Sequence, residues 1–193
     1  MKKFQRSKFT RTGKKAAGAH GLTILYVGDG KGKTTAAMGL AIRAAGSGMT
    51  VVVLQFMKST KWQSYERQAL QKLDIPVHVL GSGFVGIIDD AHPLRWHKHK
   101  AKEALSTARR MLRSKRYRVV ILDEIVTAVE EGLLTVQDVR ALIQNKPKKV
   151  HLVLTGHSKY PSLIAACDLV TEMKNIKHPY YTEGLLAQRG IDF

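Results

Sequence analysis

The sequence predicts a three-layer α/β fold, with helices covering both faces of a mostly parallel sheet. Three features carry that expectation. Short apolar runs such as residues 49–57 (MTVVVLQFM) and 119–122 (VVIL) are continuous rather than alternating, the pattern of strands buried on both faces. These runs alternate with longer segments of helical period, which is the order of a parallel sheet built from crossover units. The first run, residues 22–27 (LTILYV), ends in a glycine-rich turn that opens a helix.

Taken in order, residues 1–20 hold seven Lys or Arg and no acid, with Phe4 and Phe9 among small and polar residues. They read as a basic flexible arm without the apolar centre of a secretory signal, followed by a single domain over residues 21–193. Residues 22–27 are the first strand and 35–45 the first helix, closed by Gly46 and Gly48. The strand 49–57 leads to a polar loop, 58–63, at its carboxyl end, where ligands of such sheets bind. A helix over 64–73, a short strand over 77–80 and a loop with three glycines, 81–86, follow. Phe84 in that loop is equally readable as a packed anchor or an exposed aromatic wall.

Residues 92–115 predict a long helix with Ala101, Ala104, Leu105, Ala108, Met111 and Leu112 on its inner face. His92, His97 and His99 at its start lack the spacing of helical metal ligands and are expected on the surface. A strand over 117–123, a short helix, an amphipathic helix over 134–145, a strand over 150–156, a short helix over 161–166 and a last strand over 169–173 complete the domain. Residues 184–193 form a tail.

Two stretches carry chemistry. In Gly28-Asp29-Gly30-Lys31-Gly32-Lys33-Thr34-Thr35, a strand, a glycine turn and a helix start aim backbone N–H groups and the positive helix end at one point, which suits phosphate. Lys33 reaches the outer phosphates and the Thr34 hydroxyl suits a magnesium ion, the mechanics of a P-loop. Val27 stands where the usual pattern has its first glycine. The second stretch, Val119 to Glu124, ends a buried apolar strand with Asp123 and Glu124, in the manner of a Walker B segment. A carboxylate is stable there when it faces a cation, so Thr34 with Asp123 or Glu124 is the expected metal set. The plain alternative is that Asp123 caps the next helix. Together the two stretches specify the P-loop NTPase (RecA-like) fold.

Charge and cysteine content narrow the classes. The net charge is +17, but residues 1–20 and 92–118 supply seventeen of the thirty-two basic residues against one acid, leaving fifteen basic and fourteen acidic residues elsewhere. A nearly neutral body with a basic arm and a basic helix argues against nucleic acid as the main partner. A nucleic-acid-stimulated ATPase is the alternative that this charge motivates. No apolar run reaches membrane-spanning length, and the single cysteine, Cys167, excludes an internal disulfide and fits a reducing cytoplasm.

The P-loop alone fits many reactions. The collinear series of that loop, Gln55-Phe56-x-Lys58, Glu66-Arg67, Gly81-x-Gly83-Phe84, Leu122-Asp123-Glu124, Leu154-Thr155-Gly156, Asp168 to Met173, Lys177-His178-Pro179 and Ala187-Gln188-x-Gly190-Ile191 resembles the P-loop type of ATP:corrinoid adenosyltransferase. The resemblance implies transfer of the 5′-deoxyadenosyl group of ATP to cobalt(I) of a reduced corrinoid, with inorganic triphosphate leaving. It also implies that the nucleotide lies in reverse sense in the loop. By position, Gly28, Asp29, Gly30, Lys31, Gly32, Lys33, Thr34 and Thr35 would wrap the phosphates. Thr34, Asp123 and Glu124 would hold Mg2+ or Mn2+, and Lys33, Thr34, Glu124 and Phe84 would be the catalytic set. Phe84 would face the corrinoid and help displace its lower ligand, and Trp62 and Trp96, which the resemblance does not match, are the rings available to stand in for the one missing at Gly86. The family commonly has tryptophan where this chain has Gly86, and arginine where it has His157; the first departure raises the alternative of a binding relative with impaired chemistry. An electron donor such as a reduced flavoprotein and a homodimer are implied as partners.

Overall fold

The computed structural model describes residues 20–59, 64–81, 83 and 92–192. Residues 1–19 of the basic arm, Trp62, Phe84 and Gly86 lie outside the described residues. Six strands, β1 (Thr23–Val27), β2 (Val51–Gln55), β3 (Val77–Val79), β4 (Val119–Asp123), β5 (His151–Thr155) and β6 (Leu169–Glu172), form one sheet in the order β3-β2-β4-β5-β1-β6. Every pairing is parallel. The helices are α1 (Lys33–Gly46), α2 (Tyr65–Lys72), α3 (Leu94–Arg113), α4 (Ile125–Glu130), α5 (Val136–Gln144), α6 (Pro161–Ile164) and α7 (Pro179–Glu183).

The continuous apolar strands follow from two-sided cover. Leu25, Val52, Leu54, Val120, Leu122, Leu152 and Leu154 pack with α3, α4, α5 and α6, whereas Ile24, Val51, Val53, Val119, Ile121 and Val153 pack with α1 and α2. Alternate residues of one strand therefore serve opposite cores. The α1 face is lined by Ala37, Ala41 and Ala44 with Met38, small side chains that let the helix lie close to the sheet. α5 starts at a capping box in which Thr135 and Asp138 satisfy each other's backbone N–H.

Three expectations change. His97 is buried at 2% exposure, because it stands one helical turn before Ala101 on the face that meets the sheet; His92 and His99 are exposed. Met49 and Thr50 lie outside β2 and are exposed, since Thr50 turns its hydroxyl to the Arg116 carbonyl at 2.6 Å. α7, absent from the expected elements, begins at His178, whose ring nitrogen accepts from the Tyr180 N–H at 3.1 Å. Among the described residues no helix is long and apolar enough to cross a membrane.

Register fixes the position of the site. Gln55 stands beside Asp123, Leu122 beside Leu154 and Tyr26 beside Thr155. The carboxyl ends of β2, β4, β5 and β1 therefore meet at one edge, and the turn into α1 lies across them.

Candidate active site

The turn from β1 to α1 is shaped by its neighbours. A Cβ on Gly28 would lie 2.3 Å from the Met173 carbonyl oxygen, at φ +106°, and one on Gly30 would lie 2.7 Å from the Lys174 carbonyl carbon. The end of β6 thus demands glycine at both positions. The Gly28 N–H donates to the His157 carbonyl and the Gly30 N–H to the Met173 carbonyl, each at 2.9 Å. Gly32, at φ +108°, is the α1 N-cap and makes no side-chain cap, so the first helical N–H groups point to the cleft.

Lys33 leaves the start of α1 and turns back over the loop. Its ammonium donates to the Gly28 carbonyl at 2.6 Å and the Gly30 carbonyl at 2.8 Å. Burial lowers its pKa, an effect that Asp29, Glu124 and Glu130 oppose. A cation held over a ring of backbone amides complements a polyphosphate in charge and shape.

Asp123 ends β4 with no exposed surface. Its Oδ1 accepts from the Thr34 hydroxyl and the Thr155 hydroxyl, each at 2.9 Å, and its Oδ2 accepts from Gln55 Nε2 at 3.3 Å. It is therefore not the cap of the following helix: the N-cap of α4 is Glu124, at φ 61°, with no side-chain cap bond. The Glu124 N–H donates to the Thr155 hydroxyl at 2.8 Å, so Thr155 fixes both acids. Burial, reinforced by the Asp123 charge, pushes the Glu124 carboxyl up to about 7, against the pull of Lys58 and Lys33. Glu124 Oε2 is buried without a hydrogen-bond partner, an orphaned acceptor on the residue that follows Asp123 and that lines the same cleft as Thr34. Such a hard oxygen set fits a divalent cation.

A cleft of about 620 Å3 gathers these groups: Lys31, Gly32, Lys33, Thr34, Thr35, Glu124 and the cation Lys58 line it. Burial alone would lower the Lys58 pKa, but Asp123, Glu66 and Glu124 outweigh it and raise it; Lys58 pairs with Glu66 at 2.8 Å. A second cleft, about 820 Å3, is lined by Gly28, Asp29 and His157, the last of which also lines the first. Of the expected residues, the structure brings Lys31, Lys33, Thr34, Thr35 and Glu124 to one cleft and puts Asp123 directly behind them. Phe84 and Trp62 fall outside the described residues. Trp96 lies in the first turn of α3, stacked on His92 with centroids 3.9 Å apart; since α3 runs back along the parallel sheet, that turn is at the ligand edge.

Sequence reasoning gave no role to Gln55, Thr155 or Lys58. Each stood in a motif, and the signal available was a polar residue closing a buried strand, as with Gln55 and Thr155, where burial demands a partner.

Residues 19–193 match the family described as ATP:corrinoid adenosyltransferase BtuR/CobO/CobP. A corrinoid adenosyltransferase of Pseudomonas aeruginosa is 36% identical over 176 residues, covering 90% of this chain and 84% of its own length. One from a Sinorhizobium species is 38% identical over 178 residues, covering 90% and 80%. The solved structure of flagellar accessory protein FlaH from Methanocaldococcus jannaschii overlaps at TM-score 0.48 and 13% identity, covering 79% of this chain and 71% of its own; at that distance the overlap carries no weight. The family match spans the whole site just described, from the phosphate loop to the tail, and with it the chain belongs to the ATP:corrinoid adenosyltransferase family.

Proposed function

We propose that the protein transfers the 5′-deoxyadenosyl group of ATP to the cobalt(I) of a reduced corrinoid, forming a cobalt–carbon bond and releasing inorganic triphosphate. As a family member it is a transferase whose substrates are ATP and a corrinoid. The observation that carries the residue roles is the bond from Thr34, at the phosphate loop, to the buried Asp123. That bond ties the phosphate-binding turn to the acidic strand end.

In this reading the Asp29, Lys31 and Gly32 amides and Lys33 hold the polyphosphate, the Gly28 and Gly30 amides being engaged with the His157 and Met173 carbonyls. Lys33 exchanges the Gly28 and Gly30 carbonyls for phosphate oxygens. The triphosphate departs as one unit, so the task of the site is to steady a leaving group and keep the ribose 5′ carbon in line with its attacker. The cobalt centre of the substrate is the nucleophile, and no side chain need move a proton. Thr34, Asp123 and Glu124 would hold Mg2+ or Mn2+; the bound ion neutralises charge on the departing triphosphate. Lys58, kept protonated by the acids around it, adds charge on the same side.

Phe84 and Trp62 are the proposed corrinoid-facing rings, with Trp96 a further aromatic at the same edge. An electron donor such as a reduced flavoprotein, a cytoplasmic setting and a homodimer belong to the same reading. The dimer is supported by the edge strand β6, exposed along its length, where Leu169 and Val170 are apolar side chains left open.

Incubation with ATP, Mg2+ and a chemically reduced corrinoid is expected to yield adenosylcorrinoid and triphosphate in equal amounts, and Lys33→Ala to lose at least about a hundredfold in turnover. Release of ADP and phosphate instead would overturn the assignment.

A further inference from the structure

The tail motif Gly190-Ile191-Asp192, which the chemistry above leaves unused, lies against the phosphate loop. Beyond α7 the chain turns back over the ligand edge, so that these residues line the same cleft as Lys31 to Thr35. Two contacts hold the strap in place. The Asp192 carboxylate pairs through Oδ1 with the Lys31 ammonium. Its Oδ2 accepts from the Gln188 N–H at 2.8 Å, while the Asp192 N–H donates to the Gln188 carbonyl at 2.8 Å, closing a tight turn with Gly190 at φ +78°. The second contact sets the Arg189 guanidinium 5.1 Å from the centroid of Tyr65, the first residue of α2.

The side chain of Lys31 is 58% exposed and that of Asp192 only 17%. The strap therefore brings a largely covered negative charge into a cleft whose amides and lysines converge on a polyanion. Two negative groups cannot share Lys31 without mutual repulsion.

We propose that the C-terminal strap, residues 184–192, occupies the phosphate loop through the Asp192–Lys31 pair and is displaced when a nucleotide's polyphosphate arrives, so that Asp192 sets nucleotide affinity by competition. This rests on the phosphate-loop reading above. On binding, Lys31 exchanges a carboxylate partner for a phosphate one and the strap loses its clip. Were Asp192 instead a ligand of the nucleotide, for example accepting from ribose hydroxyls, its loss would act in the opposite sense.

Asp192→Asn keeps the shape and the acceptor for the Gln188 N–H while removing the charge. Calorimetric titration with inorganic triphosphate is expected to give a Kd about three- to tenfold lower than wild type at low salt, a gain that shrinks at about 0.5 M salt. A variant ending at Arg189 should shift the same way. Hydrogen exchange of residues 185–192 in the wild type should quicken when triphosphate saturates the site. Weaker or unchanged binding by both variants, or slower exchange on saturation, would overturn the proposal. If the folded wild type does not bind triphosphate at all, the phosphate-loop reading fails first and the strap proposal with it.

Discussion

Replacing Glu124 with glutamine is expected to stabilise the metal-free protein above neutral pH while weakening its response to magnesium. The folded chain holds the Glu124 proton to about pH 7, through burial and the neighbouring Asp123 charge, whereas an unburied glutamate releases it near 4.5. A folded pKa raised above the unfolded value gives stability that is complete below pH 4.5 and lost as pH rises through 7. The gap corresponds to a loss of about 3 kcal/mol by pH 8, an upper figure because local rearrangement relieves part of it. Glutamine keeps the shape and cannot ionise. In the presence of a chelator, wild type and Glu124→Gln should unfold together at pH 4. At pH 8 the variant should melt roughly 6–12 °C higher, at about 2–4 °C per kcal/mol for a domain of this size. Parallel stability curves from pH 4 to 8, or a less stable variant at pH 8, would refute the reasoning, because either result means that the carboxylate is not strained by its burial.

Thr155→Val removes the hydroxyl that donates to Asp123 and accepts from the Glu124 N–H. Leaving both buried partners short should lower unfolding stability by about 2–3 kcal/mol, read by urea denaturation, and reduce adenosyl transfer. Asp138→Ala should lose about 1–2 kcal/mol at neutral pH, as a capping box does. Burial works against the Asp138 carboxylate, but hydrogen bonds from Lys102 and Thr135 hold it down at about 2, from 3.8. That contribution is present above pH 3.8 and lost as pH falls through 2, so the melting difference between the two proteins should close over that range. Gly28→Ala would force a Cβ to within 2.3 Å of the Met173 carbonyl at φ +106°; a loss of more than about 2 kcal/mol, with impaired nucleotide binding, is expected in thermal melts and titration.

The central strands were legible because burial on both faces leaves a plain mark: in β2 and β4 every residue is covered, and only unbroken apolar runs satisfy that. Glycines marked the phosphate loop equally plainly, although the reason for Gly28 and Gly30 was not visible. Each is required by the end of β6, more than 140 positions away in sequence, and no local pattern reports which strand lies alongside. His97 shows the opposite error. Its period matched Ala101 and Leu105, yet its polarity suggested the surface; the helix period was the better guide, since one titratable ring fits a helix–sheet interface when it finds partners there.

The acidic pair shows where sequence stops. Asp123 and Glu124 are neighbours of like type, and their order at a strand end does not assign their work. Backbone geometry does. Asp123 completes β4 and is drawn among Thr34, Thr155 and Gln55, with three hydrogen bonds to its carboxylate. Glu124 enters the left-handed region at φ 61°, which turns its side chain out of the strand's alternation and leaves one oxygen unbonded. A residue at such a backbone angle costs about 1 kcal/mol or more and persists when its surroundings hold it there; here the Thr155 hydroxyl does so through the Glu124 N–H. The fold thus spends one acid on joining the turn before α1 to the sheet and keeps the other strained, with a buried oxygen that has no partner. Glu124 is the acid with an oxygen that no hydrogen bond holds, so its response to pH and magnesium, more than that of Asp123, is the measurement that separates a structural acid from a reactive one.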